Sequence, residues 1–224
     1  MLLVYAFVAP PVPVGDLRGV DDLDVEVVAV AAVAAVVSRC EELPTADRAR
    51  ALAHARVVAA VADRTATLPA RYGLAAADTS ALTRLLADQA AELRDALARV
   101  GDAVEFAVRG REPVPAPPAS PAVGSGSGRA YLEARRDEER ARTAANERRH
   151  AAIEAASASL LPFAREDRWV QGAVGPERCL LVARGDIGAV LAAAAPLDDD
   201  VVRVTGPWPP YTFAALALVS EEQS

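Results

Sequence analysis

The residue types that could do chemistry are few and scattered along the chain. All 24 basic residues are arginine. The absence of lysine excludes P-loop nucleotide binding, Schiff-base catalysis and covalent attachment of pyridoxal phosphate, since each needs a lysine amine. Only two histidines are present, and no Ser, Cys or carboxylate partner can be assigned to His54 from spacing. We therefore favour a structural place for His54, on a helix surface or in a core, over a role as general base. We expect His150 to be solvent-exposed.

Metal and disulfide chemistry have little support either. Cys40 and Cys179 lie far apart without CxxC spacing, so we expect two small core residues and neither a structural zinc site nor a disulfide framework. Residues 198–200 are three consecutive aspartates, but they lack the alternation of a calcium loop and predict a solvated turn. The sequence therefore predicts no catalytic residue, no metal site and no cofactor.

The most unusual segment is Thr205–Phe213, which reads TGPWPPYTF. Its three prolines fix the backbone and cannot donate to a sheet, and Gly206 permits a conformation closed to other residues. Trp208 and Tyr211 each add a large apolar surface and one polar group. Two interpretations stay open: a rigid corner between two strands whose tryptophan fills the core, which has more weight, or an exposed aromatic–proline hook for a partner protein.

A second segment, Leu68-Pro69-Ala70-Arg71-Tyr72-Gly73, also has two interpretations. It can be a connection tied to a core by Leu68 and Tyr72, with Arg71 in an internal ion pair. Alternatively, the forked guanidinium of Arg71 can bind a carboxylate or phosphate.

The chain of 224 residues fits one large or two small domains, and one change of composition divides it. Residues 112–128 read EPVPAPPASPAVGSGSG, which cannot sustain helix or sheet hydrogen bonding and predicts a linker. The predicted domains are therefore residues 1–111 and 129–224.

The first part predicts an α+β domain with a ferredoxin-like arrangement, in which two helices cover one face of a small antiparallel sheet. A buried helix is an alternative for its valine-rich run. In chain order, the predicted elements are a strand at 2–9, two strands at 25–30 and 33–38, a helix capped by Thr45 or Asp47 and ending near Asp63, a loop or irregular strand at 65–73, a leucine-rich helix from Asp78 to Gly101, and a strand at 104–110.

The second part predicts a smaller α+β domain opened by a long, charge-rich helix. Its predicted elements are that helix from 128 to about 161, strands at 169–174 and 179–183, a short helix at 186–195, and strands at 201–206 and 211–219.

Charge and hydropathy limit the partners. The net charge of −7 has the wrong sign for a general nucleic-acid binder. The longest apolar run covers residues 27–37, whereas a membrane span needs about 20 residues. The first residues lack a basic region before their apolar stretch, so we expect no signal peptide and a cytoplasmic location.

Three features, in this order, resemble the gas vesicle protein F/L family: the opening strand LLVYAFV, then TLPARYG, then TGPWPPYTF. The resemblance implies a two-domain α+β accessory or minor structural protein located at the gas vesicle, without catalytic activity. It implies a role in vesicle assembly through contacts with the small hydrophobic shell protein and other accessory proteins. The family motifs correspond here to Leu68, Pro69, Arg71, Tyr72 and Gly73, and to Gly206, Pro207, Trp208, Pro209, Pro210 and Tyr211.

The resemblance leaves open whether these motif residues serve folding or partner contact. A competing hypothesis is a small-molecule-binding or enzymatic ferredoxin-like protein that holds a ligand between its domains near Arg71 and His54. A third is a structural module of another complex.

Overall fold

The computed structural model describes residues 1–111, 128–172 and 175–214. Two compact units are present, one formed by Met1–Glu105 with the segment that begins at Pro207, the other by Phe106–Gly206. The predicted linker lies, up to residue 127, outside the described residues, so the domain boundary stays a prediction. The elements are β1 (Leu2–Val8), β2 (Glu26–Val30), β3 (Val33–Arg39), α1 (Arg48–Ala62), β4 (Thr67–Pro69), β5 (Ala75–Ala76), α2 (Thr79–Asp88), α3 (Ala90–Val100), β6 (Val104–Gly110), α4 (Gly128–Ser157), β7 (Ala164–Gly172), β8 (Gly175–Val182), α5 (Ile187–Ala194) and β9 (Val202–Trp208).

The first sheet has the strand order β2-β3-β1-β4, with β5 also paired to β1, and its pairs are antiparallel. Every residue of β1 is buried, as expected for a central strand covered on both faces. The valine-rich run folds into the hairpin β2–β3, so the prediction of two strands is confirmed and the buried-helix alternative is wrong. Branched side chains favour this outcome because they pack well on a pleated sheet.

The helices of the first unit begin where the sequence predicts. Asp47 precedes α1 and accepts a hydrogen bond from the Arg50 amide at 2.8 Å, and Asp78 caps α2 in the same way from the Ala81 amide at 2.7 Å. The prediction of one leucine-rich helix up to Gly101 is wrong, because the chain leaves helical geometry at Gln89 and divides into α2 and α3.

The second sheet has the order β7-β8-β6-β9, and β7 pairs antiparallel with β8. The prediction that the strand at 104–110 belongs to the first sheet is therefore wrong. Its apolar pattern shows that the strand is buried but does not identify its neighbours, and here β6 lies between β8 and β9. The α+β class with antiparallel sheets is confirmed. Within the described residues, no helix combines the length and the apolar character needed to cross a membrane.

Candidate protein-interaction site

The proline-rich segment forms a rigid corner at the end of β9, and we call residues 207–214 the corner. Gly206 has φ 134°, a conformation that side chains disfavour, so the glycine is required as the sequence predicts. Past Trp208 the backbone closes a tight turn, in which the Tyr211 amide donates to the Pro209 carbonyl at 2.8 Å and the Ala214 amide donates to the Pro210 carbonyl at 2.9 Å. The predicted strand at 211–219 is therefore wrong for residues 211–214, and its remainder from 215 lies outside the described residues.

Buried groups hold the corner in place. Glu105 is only 6% exposed, and its two carboxylate oxygens accept from the amide and the hydroxyl of Thr212, both at 2.8 Å. The Arg99 guanidinium donates to the Phe213 carbonyl at 2.7 Å. Hydrogen bonds to ionised groups are about twice as strong as neutral ones. The corner is thus fixed by charge-assisted bonds from α3 and β6.

The aromatic side chains of the corner have different roles. Phe213 is completely buried, whereas Trp208 is 53% exposed and Tyr211 is 38% exposed. The interpretation in which the tryptophan fills the core is therefore wrong, because the turn directs Phe213 inward and leaves Trp208 outside. Burial, together with the charge of Glu105, raises the pKa of Tyr211 to about 12, so its hydroxyl remains a hydrogen-bond donor at neutral pH.

Sequence reasoning missed the residues that hold the corner. Glu105, Arg99, Thr212 and Phe213 had no assigned role. One signal was available: Glu105 stands between apolar neighbours in the strand 104–110, and a buried carboxylate needs hydrogen-bond donors.

The segment LPARYG connects elements of the first unit. Leu68 and Pro69 are buried in β4, and the half-buried Tyr72 donates its hydroxyl proton to the Pro44 carbonyl at 3.0 Å. Arg71 is exposed and makes no salt bridge with any residue that the structure describes, so its predicted internal ion pair is wrong. Gly73 has φ 95° and closes the segment.

His54 lies in the core of the first unit, one of the two places that the sequence allows. It is 2% exposed, and its Nε2 donates to the Val4 carbonyl at 3.2 Å. Its ring lies 5.0 Å from the Tyr5 ring and 5.5 Å, edge-on, from the Tyr72 ring. Burial lowers the pKa of His54 and outweighs the opposing effect of the bond to Val4.

This burial predicts a pH dependence of stability. Folding lowers the pKa of His54, so the unfolded chain binds a proton at this residue more tightly than the folded protein does. The free energy of unfolding is therefore highest above pH 6.5, where His54 is neutral in both states, and it decreases as the pH falls below 6.5. Urea unfolding between about pH 8 and about pH 5 should show a falling midpoint, with a shallower fall for His54→Gln. His150→Gln is the control, and an unchanged slope in His54→Gln would contradict the prediction.

The remaining candidates form no metal or catalytic cluster among the residues that the structure describes. Cys179 is buried as predicted, whereas Cys40 is only half-buried. Residues 198–200 form an exposed turn, and hydrogen bonds from Arg203 and Arg111 lower the pKa of Asp199. His150 is exposed, as predicted, and stacks on Trp169 at a ring distance of 3.7 Å.

A groove of about 590 Å³ lies between α1 and residues 17–22 in the first unit. Neither Arg71 nor His54 lines it, so this groove does not supply the ligand site of the competing hypothesis.

The fold and the corner together define a class: a two-unit α+β protein that presents a rigid aromatic turn on its surface. A family model described as gas vesicle synthesis protein GvpL/GvpF matches residues 1–215, and the chain belongs to this family. No curated protein sequence matches this chain.

Two solved structures are similar in fold. The crystal structure of the gas vesicle protein GvpF from Anabaena sp. PCC7120 superposes with a TM-score of 0.75 at 19% identity, over 96% of each chain. The structure of GvpF from Microcystis aeruginosa superposes with a TM-score of 0.72 at 17% identity, over 96% of this chain and 99% of that chain.

Proposed function

We propose that this protein acts in gas vesicle assembly as a non-enzymatic accessory or minor structural protein that binds the shell protein and other accessory proteins. Family membership gives the gas vesicle context. The observation that carries the proposal is the exposed Trp208 on a corner whose backbone is already fixed by Glu105 and Arg99. A rigid aromatic side chain loses little conformational entropy on binding, and Trp and Tyr are enriched among the residues that dominate binding energies.

The two motifs divide the work in this proposal. LPARYG serves folding, because Leu68 and Pro69 are buried and Tyr72 is bonded to the Pro44 carbonyl. The corner provides the contact, with Trp208 and Tyr211 facing outward. Shell subunits must reach gas-facing positions without aggregating, and an acidic protein with a rigid apolar contact can cover an apolar face during delivery.

Trp208→Ala tests the proposal. A tagged protein co-expressed with the gas vesicle shell protein should capture it, and the substitution should weaken capture at least about tenfold, since a central aromatic contact contributes about 2 kcal/mol or more. Capture is measured by pull-down, with the shell protein quantified on gels.

Trp169→Ala is the matched control, because Trp169 is the other tryptophan and is 37% exposed. Circular dichroism and melting must show that both variants fold. If the two variants lost capture of the shell protein equally, the corner would not be the binding site. No capture by the unchanged protein, even with the other accessory proteins present, would overturn direct assembly and favour a search for small ligands.

A further inference from the structure

The helix α5 is apolar along its whole length and yet lies largely on the surface. From Ile187 to Leu197 the sequence reads IGAVLAAAAPL, without one charged or hydrogen-bonding side chain. Only Val190 of α5 is fully buried, and Leu191 is 49% exposed. Helices that are apolar on all sides are ordinarily covered on all sides. Among the residues that the structure describes, nothing covers the exposed side of α5.

A groove of about 250 Å³ runs between α5 and β9 within the second unit. This volume lies below the usual range of small-molecule pockets, about 300 to 1,000 Å³, and suits an inserted apolar side chain better than a cofactor. Among the described residues that line it, Asp199 is the one charged group, and the others are apolar: Leu191, Ala194, Ala195, Leu197, Val202 and Val204.

Acidic residues stand at both ends of this apolar face. Asp186 precedes α5 and is exposed, and Asp198 and Asp200 follow it, also exposed. Asp199 is paired with Arg111 at 2.8 Å and Arg203 at 3.2 Å, whereas Asp198 and Asp200 make no salt bridge with a described residue. Two copies of α5 packed in parallel would bring carboxylates opposite carboxylates, which opposes that mode of self-pairing.

We propose that this face binds an amphipathic helix of another protein that carries arginine or lysine beyond both ends of its apolar stripe. One large apolar side chain of the partner enters the groove beside Leu191, and its basic residues lie opposite Asp186 and the pair Asp198 and Asp200. The inference goes beyond the proposed function, since it does not require the corner to bind the shell protein.

The test uses the full chain and two fluorescent peptides, each an amphipathic helix with the same leucine–alanine stripe, one with arginine and one with glutamate at both ends. Fluorescence anisotropy should show binding of the arginine peptide and not of the glutamate peptide. Leu191→Asp should weaken that binding at least about tenfold, because it places a charge against the apolar stripe. Should Leu191→Asp melt early, Ala195→Glu on the exposed wall of the groove serves the same purpose.

Leu52→Asp is the matched control, since it makes the same change at a leucine that is 56% exposed on α1. It should leave binding unchanged, although it adds the same negative charge. Neutralisation by Asp198→Asn with Asp200→Asn should weaken binding and flatten its dependence on salt. The proposal would be overturned if neither peptide bound, or if both bound equally well. It would also be overturned if Leu52→Asp and Leu191→Asp weakened binding equally, or if sedimentation showed a dimer that depends on Leu191.

Discussion

Phe213→Ala is expected to lower the free energy of unfolding by about 3 to 5 kcal/mol, the usual cost of truncating a fully buried phenylalanine. Phe213 is among the largest side chains with no exposed surface, and its carbonyl accepts from Arg99 at 2.7 Å. Removing the ring leaves a cavity beneath the corner and loosens the attachment of the neighbouring Thr212 to Glu105. The substitution should therefore lower overall stability and also make the position of Trp208 less fixed.

Urea unfolding of the full chain measures this effect, and Trp208→Ala is the control. Because Trp208 is about half exposed, its truncation should cost less than about 1 kcal/mol, as at other surface sites without special contacts. A cost for Trp208→Ala equal to that of Phe213→Ala would mean that both aromatic residues fill the core. The assignment of Phe213 to the core and of Trp208 to an exposed contact would then be wrong.

The local structure was predictable where short-range chemistry decides it. Asp47 and Asp78 cap helices because their carboxylates satisfy backbone amides three residues on. The run at 27–37 forms strands because branched side chains suit a pleated sheet. The break at Gln89 was not predictable from periodicity, since the leucines on both sides keep helical spacing: Leu82 and Leu86 on α2, and Leu93 and Leu97 on α3 are all buried.

The predictions that were wrong concern residues whose placement depends on partners distant in sequence. The strand at 104–110 was recognised, but its place between β8 and β9 depends on strands that come later in the chain. The corner shows the same limit. Its rigidity follows from Gly206 and the prolines, whereas the choice of Phe213 over Trp208 for the core depends on the turn and on Glu105, 107 residues away from Thr212.

A buried relay of hydrogen bonds fixes the loop at residues 19–24 in the first unit. The Val20 amide donates to Tyr5 Oη at 2.9 Å, Tyr5 Oη donates to Ser38 Oγ at 3.0 Å, and Ser38 Oγ donates to the Asp24 carbonyl at 2.8 Å. The loop holds Asp21 and Asp22 at φ 53° and 62°. Such left-handed backbone costs about 1 kcal/mol or more at each residue and persists only where the surroundings enforce it.

Gly19→Ala should therefore destabilise the protein by about 3 kcal/mol, through overpacking and the loss of buried hydrogen bonds. A Cβ atom at this position would clash with Tyr5 Oη and lie 2.6 Å from Ser38 Oγ, so the relay must open. Gly15→Ala is the control, because nothing lies within 4 Å of its added carbon.

A double-mutant cycle with Tyr5→Phe tests the cause of that loss. Tyr5→Phe deletes the oxygen that the new methyl group meets, so the two substitutions together should cost clearly less than the sum of their separate effects. Strict additivity in urea unfolding would place the damage outside the relay.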